Sequence, residues 1–247
     1  MAILCGLAAC GRVGFDDVRA GGAFGDGAVG DGAAGDARMT DGFIGSGGSG
    51  LVQTSPMMLG TGSVTVNLPQ PTTAGTLLIA TMGVNSTSSL MFPTGWQQNG
   101  SGSINGSCTA VIASNSAGTA GVTSVTFTLA NGAPYAVEVS EWTGYTGIDT
   151  GGFGGGMNPI SSLSVSSMVP ATKAGDLGIA VFCEDTTNPT FTPGAGWTAL
   201  GQASTFSSSP SGFAEYAAGL PAATITATGT SSVSAKYAAV VVGLATP

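Results

Sequence analysis

The chain has 247 residues, with 42 Gly, 13 Asp+Glu, five Lys+Arg and no His, and a formal net charge of −8. Without imidazole, Ser-His-Asp and Cys-His catalysis and zinc sites that rely on His are excluded. Charged residues make up only 7%, against about 25% in an ordinary soluble domain. That scarcity of cations argues against nucleic-acid binding and against direct attraction to an anionic membrane surface.

Residues 1–9 are short and apolar and end in Leu7-Ala8-Ala9 before Cys10. The run Leu7-Ala8-Ala9-Cys10 resembles the lipobox of bacterial lipoprotein precursors. The resemblance implies that residues 1–9 are a signal peptide and that Cys10 is the lipidation site. It also implies an outer-membrane, lipid-anchored location, surface-exposed or periplasmic; Gly11 rather than Asp after the cysteine favours the outer membrane. No Lys or Arg precedes the apolar run, so the leader reads as truncated. The bland alternative is an Ala/Gly-rich terminus with an ordinary thiol at Cys10.

Residues 10–50 read as a flexible Gly/Asp-rich tether. Asp26, Asp31, Asp36 and Asp41 recur at a spacing of five, and too few large apolar side chains are present to offset the entropy of ordering. Forty residues of such coil span ~35 Å root-mean-square. Gly25 to Gly30 and Gly30 to Gly35 each match G-x-G-x-x-G, but neither lies between a strand and a helix as a dinucleotide site requires. The aspartates fit neither an EF-hand loop nor the nonapeptide calcium repeat, so a solvated acidic spacer is the reading. No metal site or cofactor is expected, calcium being the one weak candidate.

From residue 51 apolar and hydroxyl residues alternate, as in Val64-Thr65-Val66, Val125-Thr126-Phe127-Thr128-Leu129 and Thr224-Ile225-Thr226. Period two bounded by Gly, Asn, Pro and Ser clusters is the strand signal. Landmarks also return about 100 residues later: Ala74 to Ala80 as Ala174 to Ala180, Pro93-Thr94-Gly95-Trp96 as Pro193 to Trp197, and Tyr135-Ala136 as Tyr237-Ala238. The predicted fold is all-β, a β-sandwich of jelly-roll or Ig-like type, built from two ~100-residue repeats at 51–147 and 148–247. Whether these make two sandwiches or share one is left open by the pattern.

The order Ala-Gly-Asp-Leu-x-Ile-Ala, Pro-x-Gly-Trp and an apolar closing strand resembles the duplicated β-sandwich modules of bacterial surface proteins and phage tail proteins. The resemblance implies binding or display and carries over no catalytic residue. Thr76 stands where that pattern favours Asp.

Trp96 and Trp197 occupy equivalent positions after a Gly turn, and either pack into the core, as repetition alone would produce, or form a sugar-stacking pair. Trp142 is expected in the core. Glu138 and Glu141, three apart on a predicted strand, should face opposite sides. Glu184 and Asp185 read as a loop pair able to help bind calcium, and Glu215 stands alone. Surface solvation is the expected role of these acids. Cys108 and Cys183 are either one disulfide or two buried thiols. The function expected is that of a non-enzymatic surface lipoprotein for adhesion or recognition, with polysaccharide or another cell-surface ligand as partner. The alternatives are a ligand-free structural module in envelope or fibre assembly and, behind it, a two-carboxylate glycoside hydrolase.

Overall fold

The computed structural model describes residues 50–85, 90–104, 107–116, 118–203 and 211–247. The expected signal peptide, the expected lipidation site Cys10 and the expected tether lie outside the described residues, except Gly50, which opens the first strand. Within them the chain is all β-strand and turn, with no helix.

The strands are β1 (Gly50–Thr54), β2 (Met58–Thr61), β3 (Ser63–Asn67), β4 (Leu77–Val84), β5 (Leu90–Met91), β6 (Gln97–Ile104), β7 (Cys108–Asn115), β8 (Ser124–Leu129) and β9 (Pro134–Thr143). Then follow β10 (Gly147–Ser166), β11 (Asp176–Glu184), β12 (Phe191–Pro193), β13 (Thr198–Ala203), β14 (Ser211–Leu220) and β15 (Thr226–Ala245). One large antiparallel sheet runs β1-β9-β4-β7-β6, and a second runs β10-β15-β11-β14-β13. The two orders correspond strand for strand. Even the irregularities match: β6 bulges between Gln98 and Gly100, and β13 between Ala199 and Gly201.

Each large sheet has its own cover. The first is covered by the small sheet β3-β8-β5. Here the alternation seen in the sequence works as expected: Val64, Val66, Val125, Phe127 and Leu129 point inward, against Met82, Val111, Tyr135, Val137 and Val139 of the large sheet. The outward hydroxyls pair across the strands, Ser63 with Thr128 (2.9 Å) and Thr65 with Thr126 (2.8 Å). Over the second sheet the cover is made by the far ends of β10 and β15, which pair with each other, and by β12, which pairs with β15. Leu163, Val165, Phe191 and Ala227 from this cover pack on Phe182, Phe213, Tyr237, Ala239 and Val241.

The remaining faces of the two large sheets meet in a third core of Leu77, Ile79, Ile112, Trp142, Ile179, Val181, Val240, Val242 and Leu244 among others. Strands β4 and β11 are therefore buried along their whole length, on both faces. Cys108 and Cys183 form a disulfide within this third core, with Cα atoms 6.0 Å apart. The bridge thus joins residues of the two large sheets. Cys183 sits against Gly83, where an added Cβ would come within 3.3 Å of its sulfur.

The return of β10 over its own sheet depends on Gly152. A Cβ there would overlap the Ser166 carbonyl and lie 2.7 Å from Ser167 Cα, and Met168 N–H donates to Gly151 O (2.9 Å) just beside it. Backbone cannot move aside as a flexible side chain can. We expect Gly152→Ala to lower stability by about 2 kcal/mol or more, read as a drop in the thermal midpoint. Gly147→Ala, where nothing lies within 4 Å, is the control; equal midpoints for the two variants would contradict this account of the bend.

Candidate functional site

Both repeated tryptophans follow a tight turn closed by a backbone bond: Trp96 N–H donates to Pro93 O (3.1 Å) and Trp197 N–H to Gly194 O (3.0 Å). Gly95 (φ 87°) and Gly196 (φ 81°) take the left-handed backbone these turns require. Each ring is half-buried. Trp96 sits edge-on to Phe127, with centroids 5.2 Å apart, and packs against the first sandwich core. Trp197 packs against the second. Trp142 is buried, its Nε1–H donating to Ser140 Oγ (2.8 Å).

The surroundings of the two rings differ. In the strand registers, Ala80 pairs with Ala113 and Ala180 with Glu215, so Leu78 corresponds to Gly178 and Ala113 to Glu215. Gly178 lets the Trp197 ring edge descend onto β11: a Cβ there would lie 2.8 Å from Trp197 Cη2 and 2.8 Å from Leu220 Cδ1. The turn before Trp197 is also one residue longer than its counterpart, Pro193-Gly-Ala-Gly-Trp197 against Pro93-Thr-Gly-Trp96. Beneath that turn, Gly194 N–H donates to Glu215 Oε2 (3.3 Å). Beside Trp197 opens a cleft of about 310 Å³, lined by Ala195, Gly196, Ala217, Leu220, Pro221, Thr224, Ile225 and Thr226. The lining pairs an aromatic face and aliphatic walls with two threonines, and no charged side chain is among it.

The carboxyl groups correct one expectation. Glu138, Glu141, Glu184 and Glu215 are not surface acids: all four are fully buried, and so is Asp176. Glu184 is not in a loop but closes β11, where it accepts from Ser231 Oγ (2.8 Å). The physical reason is the double covering of each large sheet, which closes β9 and β11, and the Ser211–Glu215 part of β14, to water. Burial pushes Glu138, Glu184 and Glu215 up to about 7, opposed only by single hydrogen bonds from Thr54, Ser231 and Gly194. Among the described residues each keeps one oxygen without a partner: Oε2 of Glu138 and Oε1 of Glu184 and Glu215.

Glu141 is different, because it accepts from Thr73 N–H (2.7 Å), Thr76 Oγ1–H (2.7 Å) and Gln53 Nε2–H. This explains Thr76. In the second sheet the corresponding positions hold Asp176 and Gly243, so the carboxyl has moved from one strand to its neighbour and the threonine hydroxyl meets it halfway.

Glu138 and Glu141 face opposite sides of β9, as their spacing predicts. Glu215 pairs with Ala180, four residues along β11 from Glu184, which is ~13 Å and wider than the two-carboxylate geometries of glycoside hydrolysis. Asp149 and Asp176 lie side by side near Lys173. Among the described residues no three His, Cys, Asp or Glu side chains gather. No protein family, curated protein or solved structure matches the chain.

The sequence pattern points to Trp197 but not to what makes its site. Gly178, Glu215, Leu220 and Ile225 were readable only by comparing the two repeats position by position and asking where they part.

Proposed function

We propose that this protein is a surface recognition protein whose binding site is the Trp197 cleft. The observation that carries the reading is the convergence of three departures from the internal repetition on one spot. They are glycine for leucine at 178, a longer turn before Trp197, and Glu215 under that turn in place of alanine. The two copies differ at other places too, but these three differences gather around one ring and leave a cleft beside it. The lining suits a neutral sugar ring, with the indole face for stacking and Thr224 and Thr226 for its hydroxyls. The volume is at the small end of ligand sites, which suits one sugar residue of a polysaccharide better than a long acyl chain.

The wider setting we propose is a lipoprotein held at the outer membrane through Cys10, with residues 11–49 as its spacer. The Cys108–Cys183 disulfide fits an oxidising, extracytoplasmic compartment. Recognition here is binding without chemistry.

Titrating the full chain with a panel of soluble neutral polysaccharides, followed by tryptophan emission and calorimetry, tests the site. We expect at least one glycan to bind, Trp197→Ala to weaken it tenfold or more, and Trp96→Ala to leave it unchanged. Equal binding by Trp197→Ala, or no binding by any glycan, overturns the reading.

One observation favours assembly as the second reading. Phe153, Met157, Ile160, Met168 and Val169 are exposed along β10 and the turn after it, and β10 is the edge of its sheet. An apolar edge strand is a template for association. Concentration-dependent sedimentation together with failure of every glycan would favour that reading.

A further inference from the structure

The contact between the two large sheets is built from two equivalent halves that differ in chemistry. On one side Val240 of β15 rests on Gly100 of β6, where a Cβ would come within 2.5 Å of Val240 Cγ1. On the other, Glu138 of β9 rests on Gly201 of β13, where a Cβ would overlap Glu138 Oε2. Gly100 and Gly201 each follow the matching bulge of their strand. Glu138 pairs with Thr81 of β4, and Val240 pairs with Val181 of β11. A Val–Val pair in one half therefore becomes a Thr–Glu pair in the other.

This polar island is sealed but incompletely bonded. Thr54 Oγ1–H donates to Glu138 Oε1 (2.7 Å). Glu138 Oε2 and Thr81 Oγ1 are buried without partners among the described residues. Among the described residues no charged group faces Glu138. Strands β1, β2, β4 and β13 carry no ionisable residue. Glu141 points to the other face of β9, and Glu215, Glu184 and Asp176 belong to the covered far side of the second sheet. Lys236 lies four residues from Val240, in the opposite half of the contact. The other neighbours of Gly201 and of the nearby Gly212 are Met57, Ala136 and the Gly83 backbone. A charged carboxylate at this place would have neither countercharge nor water.

We propose that Glu138 is a proton-operated fastener between the two large sheets. As a neutral acid it fills the space over Gly201 as Val240 fills that over Gly100. When it ionises it must reach water, and the way out is past Gly201 on β13, the edge strand of its sheet. Loss of the proton loosens β13 from β9, while the Cys108–Cys183 bridge keeps the two sheets together. Burial moves Glu138 to about 7, so the loosening falls within the ordinary environmental range.

The test is amide hydrogen exchange on the oxidised full chain between pH 5 and 8, with protection factors corrected for the intrinsic pH dependence of exchange. We expect protection of residues 198–203 to fall tenfold or more in the wild-type chain. It should fall clearly less in Glu138→Val, the residue the fold already uses at 240, where only the fall due to Glu184 and Glu215 remains. Glu138→Gln, neutral at every pH and close in shape, should show the same smaller fall and covers the case in which the valine variant fails to fold. A level wild-type profile, or a fall as large as the wild type's in either folded variant, overturns the proposal. Titration of Glu184 and Glu215 persists in all three proteins and cannot produce the difference.

Discussion

Raising the pH from 5 to 8 will destabilise this protein, lowering its thermal midpoint by on the order of 10 °C. Glu138, Glu184 and Glu215 hold their protons to about 7, against about 4.3 for a free glutamate. The folded state therefore binds more protons than the unfolded chain between those values. Stability from such groups is fully present below the unfolded value and is lost as pH climbs through the folded one. Asp176, raised by burial, acts in the same sense, whereas Asp149, lowered by its bonds from Thr172, weakens the fold only in strong acid. A loss of about 2 kcal/mol per group, partly relieved by water entry, and ~2–4 °C per kcal/mol for a chain of this size give the stated drop. Calorimetry across the pH range checks it, with Glu184→Gln and Glu215→Gln each flattening the slope. A midpoint that rises from pH 5 to 8 would show that these carboxyls find partners or solvent.

The disulfide should carry the other large effect. Cys108 and Cys183 close a loop of 75 residues, for which the chain-entropy account gives about 4 kcal/mol. We expect the double variant Cys108→Ala, Cys183→Ala to unfold at a denaturant midpoint lower by that much. It should stay folded in water, since three apolar cores remain. Alkylation of the denatured, unreduced protein should label neither Cys108 nor Cys183. Labelling of both, or a midpoint unchanged in the double variant, would refute the stabilising bridge.

Much of the architecture was legible from residue order. Alternation marked β3 and β8, and it assigned their inward and outward faces correctly, because one face of that small sheet does meet water. The repeated landmarks mark strands that pair in matching orders in the two large sheets. Trp142 was readable as core, and Cys108 and Cys183 as a possible pair.

The carboxyls were misjudged for a definite reason. Period two states that Glu138 and Glu141 face opposite sides of β9; it does not state that both sides are covered. An isolated glutamate in a strand reads as an outward residue, and only the covering of both faces of each large sheet, by the other large sheet on one and by its own cover on the other, removes the water from it. The same limit hid the Trp197 cleft. Gly178 and Glu215 are 37 positions apart in the chain and become neighbours of one turn only through the β11–β14 register.

Residue order by itself determined the strand periodicity, the repeat and the exclusion of histidine chemistry, since these follow from which side chains are present and how they alternate. Tertiary structure alone decided which faces are dry, which acids hold their protons, which cysteines meet and that a cleft opens beside Trp197. Those properties depend on how strands far apart in the chain pack, and burial is a property of the packed layers rather than of any one strand.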